Sequence, residues 1–285
     1  MPRSIVLATD LTPFCDRALD RAVQLARAWK ATLTVIHVVE AGEKDVVGVS
    51  RRTKDAEAEM ARQMQSCRGA ADLQIEPRVT FGDPVERLLA VTIESGCDLM
   101  VVGLAHAKTI GDRLLGSTTS RLLRQTCCPV LTVRDRPYES YNAVAVGIDF
   151  SEASRQAVDC TLALFPQSVL WLVHAYDIPF DGDFYSSFAL NELETSRKSA
   201  VDMVLNEAMN RFIAEGGGAH RAVHTFHWHG KPDSVFTTFI EIHRPDLVVL
   251  GTHGRSGFRR LTLGSVTENL LNVLPCDVLV VPLRS

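Results

Sequence analysis

Two kinds of apolar segment alternate along the chain. Short unbroken runs, "SIVLAT" from Ser4, "TLTVIHVV" from Thr32, "DLMVVG" from Asp98 and "PVLTV" from Pro129, put apolar residues on consecutive positions. Longer stretches, Asp16 to Trp29 and Pro84 to Ser95, put them three or four apart. Unbroken apolar runs of four to eight residues predict strands buried on both faces, and a three-to-four spacing predicts helices with one buried stripe. A polar, mostly exposed helix is expected in "RRTKDAEAEMARQMQS", a further strand in "LQIEPRVT" and a helix after Gly116. Five strands alternating with four helices predict a doubly wound α/β unit, a parallel sheet with helices on both faces. Right-handed crossovers leave few arrangements, and the order 3-2-1-4-5 is expected, with a switch point between strands 1 and 4.

The pattern then repeats. "SIVLATDLTPFCDRALDRAVQLA" at Ser4 resembles "NAVAVGIDFSEASRQAVDCTLAL" at Asn142, and "FGDPVERLLAVTIESGCDLMVVG" resembles "HGKPDSVFTTFIEIHRPDLVVLG". Gly82 to Gly230, Gly103 to Gly251 and Gly116 to Gly264 share one spacing of 148, whereas His37 to His174 spans 137. The second copy has therefore gained about 11 residues between its second and third strands, within Tyr176 to Val223. A charged segment with a proline, Arg134 to Ser140, reads as a linker. Two repeated domains follow, residues 1–136 and 141–285, each a five-stranded parallel sheet.

Composition narrows the class. The 285 residues are 46% hydrophobic and 22% charged, as in globular domains, and the net charge of −4 carries no basic excess for nucleic acid. No apolar stretch is long enough for a transmembrane helix, and the five-residue apolar run before Asp10 is too short for a secretory signal. Seven scattered cysteines without a CxxC point to a reducing interior, hence a cytoplasmic protein, and to small buried hydrophobes.

Ligands of open α/β sheets bind beyond the carboxyl ends of the strands at the switch point. In the second half Asp149 ends strand 1, Gly251 ends strand 4, and Gly264 and Ser265 begin the last helix. A helix N-terminus offers free N–H groups, Gly264 admits close approach of an anion, and Ser265 can cap the helix or bond a phosphate oxygen. Gly251 and Gly254 would let the intervening loop fold around phosphates, with Arg255, Arg259 and Arg260 adding positive charge. Asp149 suits ribose hydroxyls. The spacing matches neither GxxxxGK[ST] nor GxGxxG, and glycines in "GTHGRSGFRRLTLGS" alone are equally compatible with turns.

Together, "GTHG", nine residues and "GS", the early strand ending in Asp149, "LVHA", "HGKP" and "CDVLVVP" resemble the universal stress proteins over nearly the whole chain, in tandem. That resemblance implies an adenine-nucleotide-binding fold with ATP, with or without Mg, as cofactor. Asp149 would hold the ribose and the backbone at Ala175 would meet adenine. Gly251, Gly254, Gly264 and Ser265 would line ribose and phosphates, with the Val266 amide as a further donor. In the first half Asp10, Val38, Gly103, Gly116 and Ser117 match, but His106 replaces the second glycine, so nucleotide is expected mainly in the second half. The resemblance implies a stress or regulatory role with an unnamed protein partner, and no defined catalytic residue. It also implies an intramolecular pseudo-dimer joined through the last strands, with homodimerisation left open. A slow ATPase and a non-nucleotide binder or assembly protein are the alternatives, and no membrane partner is expected.

Other residues add less. His224, His227 and His229 are a partial metal ligand set without a nearby carboxylate or cysteine, and no metal site is expected. His37 and His174 recur at matching strand positions and read as packing or site-wall residues. His253 lacks an orienting partner for general-base work. The insert "DIPFDGDFYSSF" could be a lid, a partner surface or a loop. Cys127 and Cys128, before Pro129, read as structural.

Overall fold

The computed structural model describes residues 2–40, 46–67, 69, 72–104, 115–176, 203, 206, 207, 209–214, 223–252 and 263–283. The first half forms β1 (Ser4–Ala8), α1 (Asp16–Trp29), β2 (Thr32–Val39), α2 (Val46–Ser66), β3 (Ile75–Phe81), α3 (Pro84–Glu94), β4 (Leu99–Gly103), α4 (Ser117–Gln125) and β5 (Val130–Val133). The second half forms β6 (Ala143–Gly147), α5 (Glu152–Leu164), β7 (Val169–Tyr176), β8 (Val223–His229), α6 (Pro232–His243), β9 (Leu247–Gly251), α7 (Ser265–Val273) and β10 (Asp277–Val281). The described residues within 203–214 are helical. Among the described residues no helix is long and apolar enough to cross a membrane.

Among the described residues ten strands lie in one sheet, in the order β3-β2-β1-β4-β5-β10-β9-β6-β7-β8. Each half is therefore 3-2-1-4-5 and parallel throughout. The halves meet where β5 and β10 pair antiparallel, Leu131 opposite Leu279. Successive strand residues point to opposite faces. Ile5 and Leu7 thus join one core with Leu19, Leu33, Val144, Leu170 and Leu279, while Val6 joins another with Met100, Leu122, Phe236, Phe239 and Leu270. Each core runs through both halves, and the inner strands, covered by one core on each face, show no polar alternation, whereas the edge strands β3 and β8 do carry polar positions.

Local signals set the helix ends. Asp83 caps α3, its side chain accepting from the N–H groups of Val85 at 2.9 Å and Glu86 at 3.0 Å, with Pro84 in the first turn. The Glu86 N–H and then Arg121 hold the Asp83 carboxyl below its ordinary range. Helix α1 closes at Lys30, which takes a left-handed conformation at φ 56°. Helix α2 starts five residues before the polar stretch that predicted it. The β-branched residues and glycine of "VVGVS" are weak helix formers, so local propensity hid the first turn. Buried Ala56 and Met60 anchor the helix from further along.

The segment expected as a linker is locked into the structure. The N–H of Arg134 donates to Asp277 Oδ1 at 2.7 Å, and Tyr141, 4% exposed, donates its hydroxyl proton to Oδ2 at 2.6 Å. Arg21 of α1 completes the group from the other half. Its Nε lies 3.5 Å from Asp277 Oδ2, an ion pair without hydrogen-bond alignment, and its guanidinium covers the Tyr141 ring at 4.0 Å. Its Nη1 donates to the Glu139 carbonyl at 2.9 Å. Three segments distant in sequence are thereby tied together at the seam.

Burial raises the Asp277 carboxyl, against the pull of the Tyr141 and Arg134 donors and the Arg21 charge. Arg21→Met is expected to lower unfolding free energy at neutral pH by about 3 kcal/mol, typical for removing one member of a buried pair. Without the guanidinium the carboxyl rises further and is neutral over more of the acid range, so the deficit shrinks as pH falls. Urea unfolding of both proteins at neutral and acid pH checks this; a deficit independent of pH contradicts the ion pair.

Candidate functional site

In the second half the strand order reverses between β6 and its neighbours β7 and β9. Beyond the carboxyl ends of β6 and β9 lies a cleft of about 220 Å³. Asp149, Ala175, Gly251, Gly264, Ser265 and Val266 all line it, with apolar walls from Val173, Phe236 and Leu250. Gly254, His253, Arg255, Arg259 and Arg260 lie outside the described residues, as do His106 and "DIPFDGDFYSSF".

Asp149 first organises its own turn. Its Oδ1 accepts from the Ser151 N–H at 3.0 Å and the Ser151 hydroxyl at 2.5 Å. In the first half Asp10 Oδ1 accepts from the Thr12 N–H at 2.9 Å and hydroxyl at 2.7 Å. Burial pushes the Asp10 carboxyl up, but hydrogen bonds from Cys15 and Thr12 outweigh it and leave the group below its ordinary range. The residues that follow, Phe150 and Leu11, sit at φ 63° and 61°. Side chains with a Cβ rarely adopt that region, and both halves place one at the switch point.

A histidine fixes the preceding residue in each half. His174 Nδ1 lies 2.7 Å from the Ile148 carbonyl and His37 Nδ1 lies 2.9 Å from the Thr9 carbonyl. A carbonyl can only accept, so each Nδ1 carries the proton. The Phe150 ring packs 4.8 Å from His174 and edge-on to Phe212 at 5.9 Å. These histidines hold the turn that presents the aspartate, a role more specific than wall packing. The signal in sequence was their recurrence one strand away from each switch-point Asp.

The start of α7 faces the aspartate turn across the cleft. Gly264 is the N-cap, without a side-chain cap, and Ser265 is the first helical residue. Ser265 therefore does not cap the helix, which corrects one expectation; a residue already inside the first turn cannot accept from the N–H groups two or three further on in cap geometry. The first intrahelical bond runs from Glu268 N–H to Gly264 O at 2.9 Å, so the amides of Ser265, Val266 and Thr267 precede it. The Gly264 N–H donates to the Thr252 carbonyl at 2.8 Å and the Thr267 hydroxyl to the Gly251 carbonyl at 2.8 Å. These bonds clamp the helix start to the end of β9.

The glycines differ in purpose. A Cβ on Gly251 would stand 3.0 Å from the Ala153 carbonyl oxygen and 3.1 Å from its carbon, so Gly251 lets β9 approach the backbone of α5. That packing reason stands beside the loop-folding role expected from its sequence position. Gly230 has φ 139°, which its tight turn into α6 requires, and Gly82 has φ 130° at the equivalent place. Gly264 and Gly116 have φ −59° and −57°, which any residue adopts. Among the described residues nothing lies within 4 Å of a Cβ built on Gly116.

The first half repeats the frame. Asp10 follows β1, Val38 lies on β2, Gly103 ends β4, Gly116 caps α4 and Ser117 opens it. The N–H of Leu115, just before this helix, donates to Asn272 Oδ1 of α7 at 2.8 Å. Arg124 of α4 meets Glu268 of α7 at 3.2 Å. The helices that open the two candidate cradles are thus in contact.

The remaining histidines belong to an aromatic surface. His224 stacks on Trp171 at 4.5 Å, and His227 and His229 lie 6.3 and 5.9 Å from the Tyr176 ring. Among the described residues no three His, Cys, Asp or Glu side chains are grouped to hold a metal ion.

The chain matches the model of the Universal stress protein family twice, over residues 1–134 and 140–282. It is 25% identical over 301 aligned residues to a universal stress protein of Mycobacterium tuberculosis, covering 97% of this chain and 95% of that one. A universal stress protein from Archaeoglobus fulgidus has a similar fold, with TM-score 0.70, 19% identity and coverage of 98% and 96%. A functionally unknown protein from Pseudomonas aeruginosa is similar at TM-score 0.66 and 20% identity, with coverage of 99% and 92%.

Gly251→Ala is expected to cost about 1–3 kcal/mol, because helix backbone must yield to the new methyl group. Gly116→Ala should change stability by less than about 0.5 kcal/mol, since its conformation and surroundings accept a methyl. Thermal unfolding of the two variants beside the wild type distinguishes them, and equal losses would contradict these assignments.

Proposed function

The chain belongs to the universal stress protein family, and we propose from that membership and the cleft that it is an ATP-binding regulatory protein holding nucleotide mainly in its second half. One arrangement carries this reading: Asp149 on the turn after β6, facing the amides of Ser265, Val266 and Thr267 across an apolar-walled cleft. The three parts suit the three parts of a nucleoside phosphate. A row of N–H groups at a helix N-terminus, with its positive dipole end, favours phosphate. A carboxylate accepts from ribose hydroxyls. Val173, Leu250 and Phe236, with the backbone at Ala175, offer a flat base an apolar wall and edge-on peptide groups.

The conformation of Gly264 supports the same reading. It lies at φ −59° and ψ 140°, so backbone freedom is no reason for glycine there. A missing Cβ at a helix N-cap is then best explained by space left for an anion against the chain. Gly116 has the same backbone geometry at its own helix start, so the first half keeps the frame of a cradle.

Binding rather than turnover fits the cleft chemistry. Among the described lining residues Asp149 is the one titratable group, and its Oδ1 already accepts two bonds from Ser151. ATP, alone or with Mg, would order the segment between Gly251 and Gly264 and so change the surface offered to a protein partner. Such a change requires that nucleotide bind one arrangement of the segment more tightly than the other. The setting is a stress response inside the cytoplasm.

Gly264→Val tests this. Valine is at home in the extended conformation of Gly264, so the fold should persist, while its branched side chain stands where the anion approaches. ATP affinity is expected to fall at least tenfold, about 1.4 kcal/mol, by equilibrium dialysis with labelled ATP. Unchanged circular dichroism would show that the fold survives. Undiminished affinity would place the phosphates elsewhere, and rapid ADP release by the wild type would favour a hydrolase.

A further inference from the structure

Away from the cleft, two cysteines meet at the opposite end of the sheet. Cys97 lies in the turn between α3 and β4, and Cys128 in the turn between α4 and β5. The Cys128 thiol donates to the Cys97 sulfur with 3.2 Å between the Sγ atoms. Both backbones are held. The Cys97 N–H donates to the Thr92 carbonyl at 3.0 Å, and the Cys128 N–H to the Thr126 hydroxyl at 3.1 Å. The next strand residues keep the turns adjacent, Met100 N–H donating to the Pro129 carbonyl at 2.9 Å.

We propose that Cys97 and Cys128 form a reversible disulfide in response to a hydroperoxide, a redox site confined to the first half. The two sulfurs need only close from 3.2 Å to about 2.05 Å, a change within reach of small side-chain rotations. The chain itself supplies a comparison. At the spacing of 148 that relates the halves, Cys276 stands where Cys128 does, but Pro245 stands where Cys97 does. The second half thus keeps one of the two thiols, itself half-buried, and lacks its partner, as expected if the pair, and not a single cysteine, carries the chemistry.

The roles divide by access. Cys97 is half-buried, whereas Cys128 is 3% exposed. The neighbouring Cys97 and burial both push the Cys128 thiol far up. Cys97 is accordingly the attacking sulfur and Cys128 the resolving one. The Cys97 thiolate attacks the terminal oxygen of the hydroperoxide; an S–O bond forms, the O–O bond breaks, and the alcohol or water leaves with the thiol proton. The Cys128 sulfur then attacks the Cys97 sulfenic acid. The S–S bond forms, the S–O bond breaks, and hydroxide departs as water with the Cys128 proton. Two thiols have lost two electrons to the peroxide. The bond would close a loop containing β4, the segment up to Gly116 and α4, and so would tie oxidation to the first half's cradle frame. A small dithiol reverses it by exchange.

Peptide mapping of the intact chain tests this. After brief hydrogen peroxide treatment and alkylation of free thiols, trypsin should release Leu88–Lys108 joined to Gln125–Arg134. Dithiothreitol should separate them. The link should persist in Cys127→Ser and vanish in Cys97→Ser and in both Cys128→Ser and Cys128→Ala. In the wild type, Cys97 and Cys128 should lose alkylation together, at least about tenfold faster than Cys276, which has Pro245 in place of a partner cysteine and whose thiol desolvation pushes up to about 12. A link that needs Cys127, a Cys97 oxidised without any link, or a Cys276 that reacts as fast would each overturn the proposal.

Discussion

The antiparallel pairing of β5 with β10 is the constraint on which the rest depends. Each half alone would expose, besides its β3 or β8 edge, the edge of β5 or β10, strands buried on both faces and a template for unwanted pairing. Joining the two edges removes that exposure. It also makes each core layer continuous from one half to the other, so Leu7 and Leu279 belong to the same cluster. The seam is held by more than its ladder. The Thr132 hydroxyl donates to the Val278 carbonyl at 2.9 Å, and Asp277, at the first position of β10, gathers donors from the connecting segment while α1 supplies Arg21. A buried carboxylate is costly unless its lone pairs are filled, and here each oxygen has a specific donor. The same demand fixes the course of the connecting chain.

The seam also sets how the two candidate cradles are related. Helices α4 and α7 belong to one core layer with Val130 of β5 and Val278 of β10, and the start of each meets the last turn of the other. Asn272 of α7 holds the Leu115 amide before Gly116, and the residue at the matching place in α4 is Arg124, which can donate but not accept. It pairs instead with Glu268. The second half therefore supports the entrance to the first half's candidate cradle in a way that Arg124 does not return among the described residues. A difference between the halves that began with His106 in place of a glycine is thus carried into their packing.

Much of this was legible in the chain. The unbroken apolar runs identified four of the five strands of the first half, because a strand covered on both faces has no solvent side to mark with polar residues, while the edge strand β3 had to be read from the mixed stretch "LQIEPRVT". The repeat transferred that reading to the second half, and the order 3-2-1-4-5 followed from the alternation and the handedness of crossovers. Asp149, Gly251, Gly264 and Ser265 could be named as one neighbourhood because strand ends and helix starts converge at a switch point, whereas Ala175 and Val266 were named only through the family resemblance. The start of α2 was not legible, since "VVGVS" disfavours helix locally and distant burial of Met60 decides it.

Composition, periodicity and repetition thus determined the class of fold, the number of halves and the neighbourhood of the site. These are properties of hydrophobic pattern and chain connectivity, which local sequence records. Only the tertiary structure decided why Gly251 and Gly230 are glycine, one for the backbone of α5 and one for a turn at φ 139°. It alone turned an apparent linker into part of a buried ion-pair network, and matched His174 to the carbonyl before Asp149. It alone brought Cys97 within 3.2 Å of Cys128 across 31 positions of sequence. Those outcomes depend on distances between residues far apart in the chain, and packing fixes such distances only after every element has found its place in the sheet.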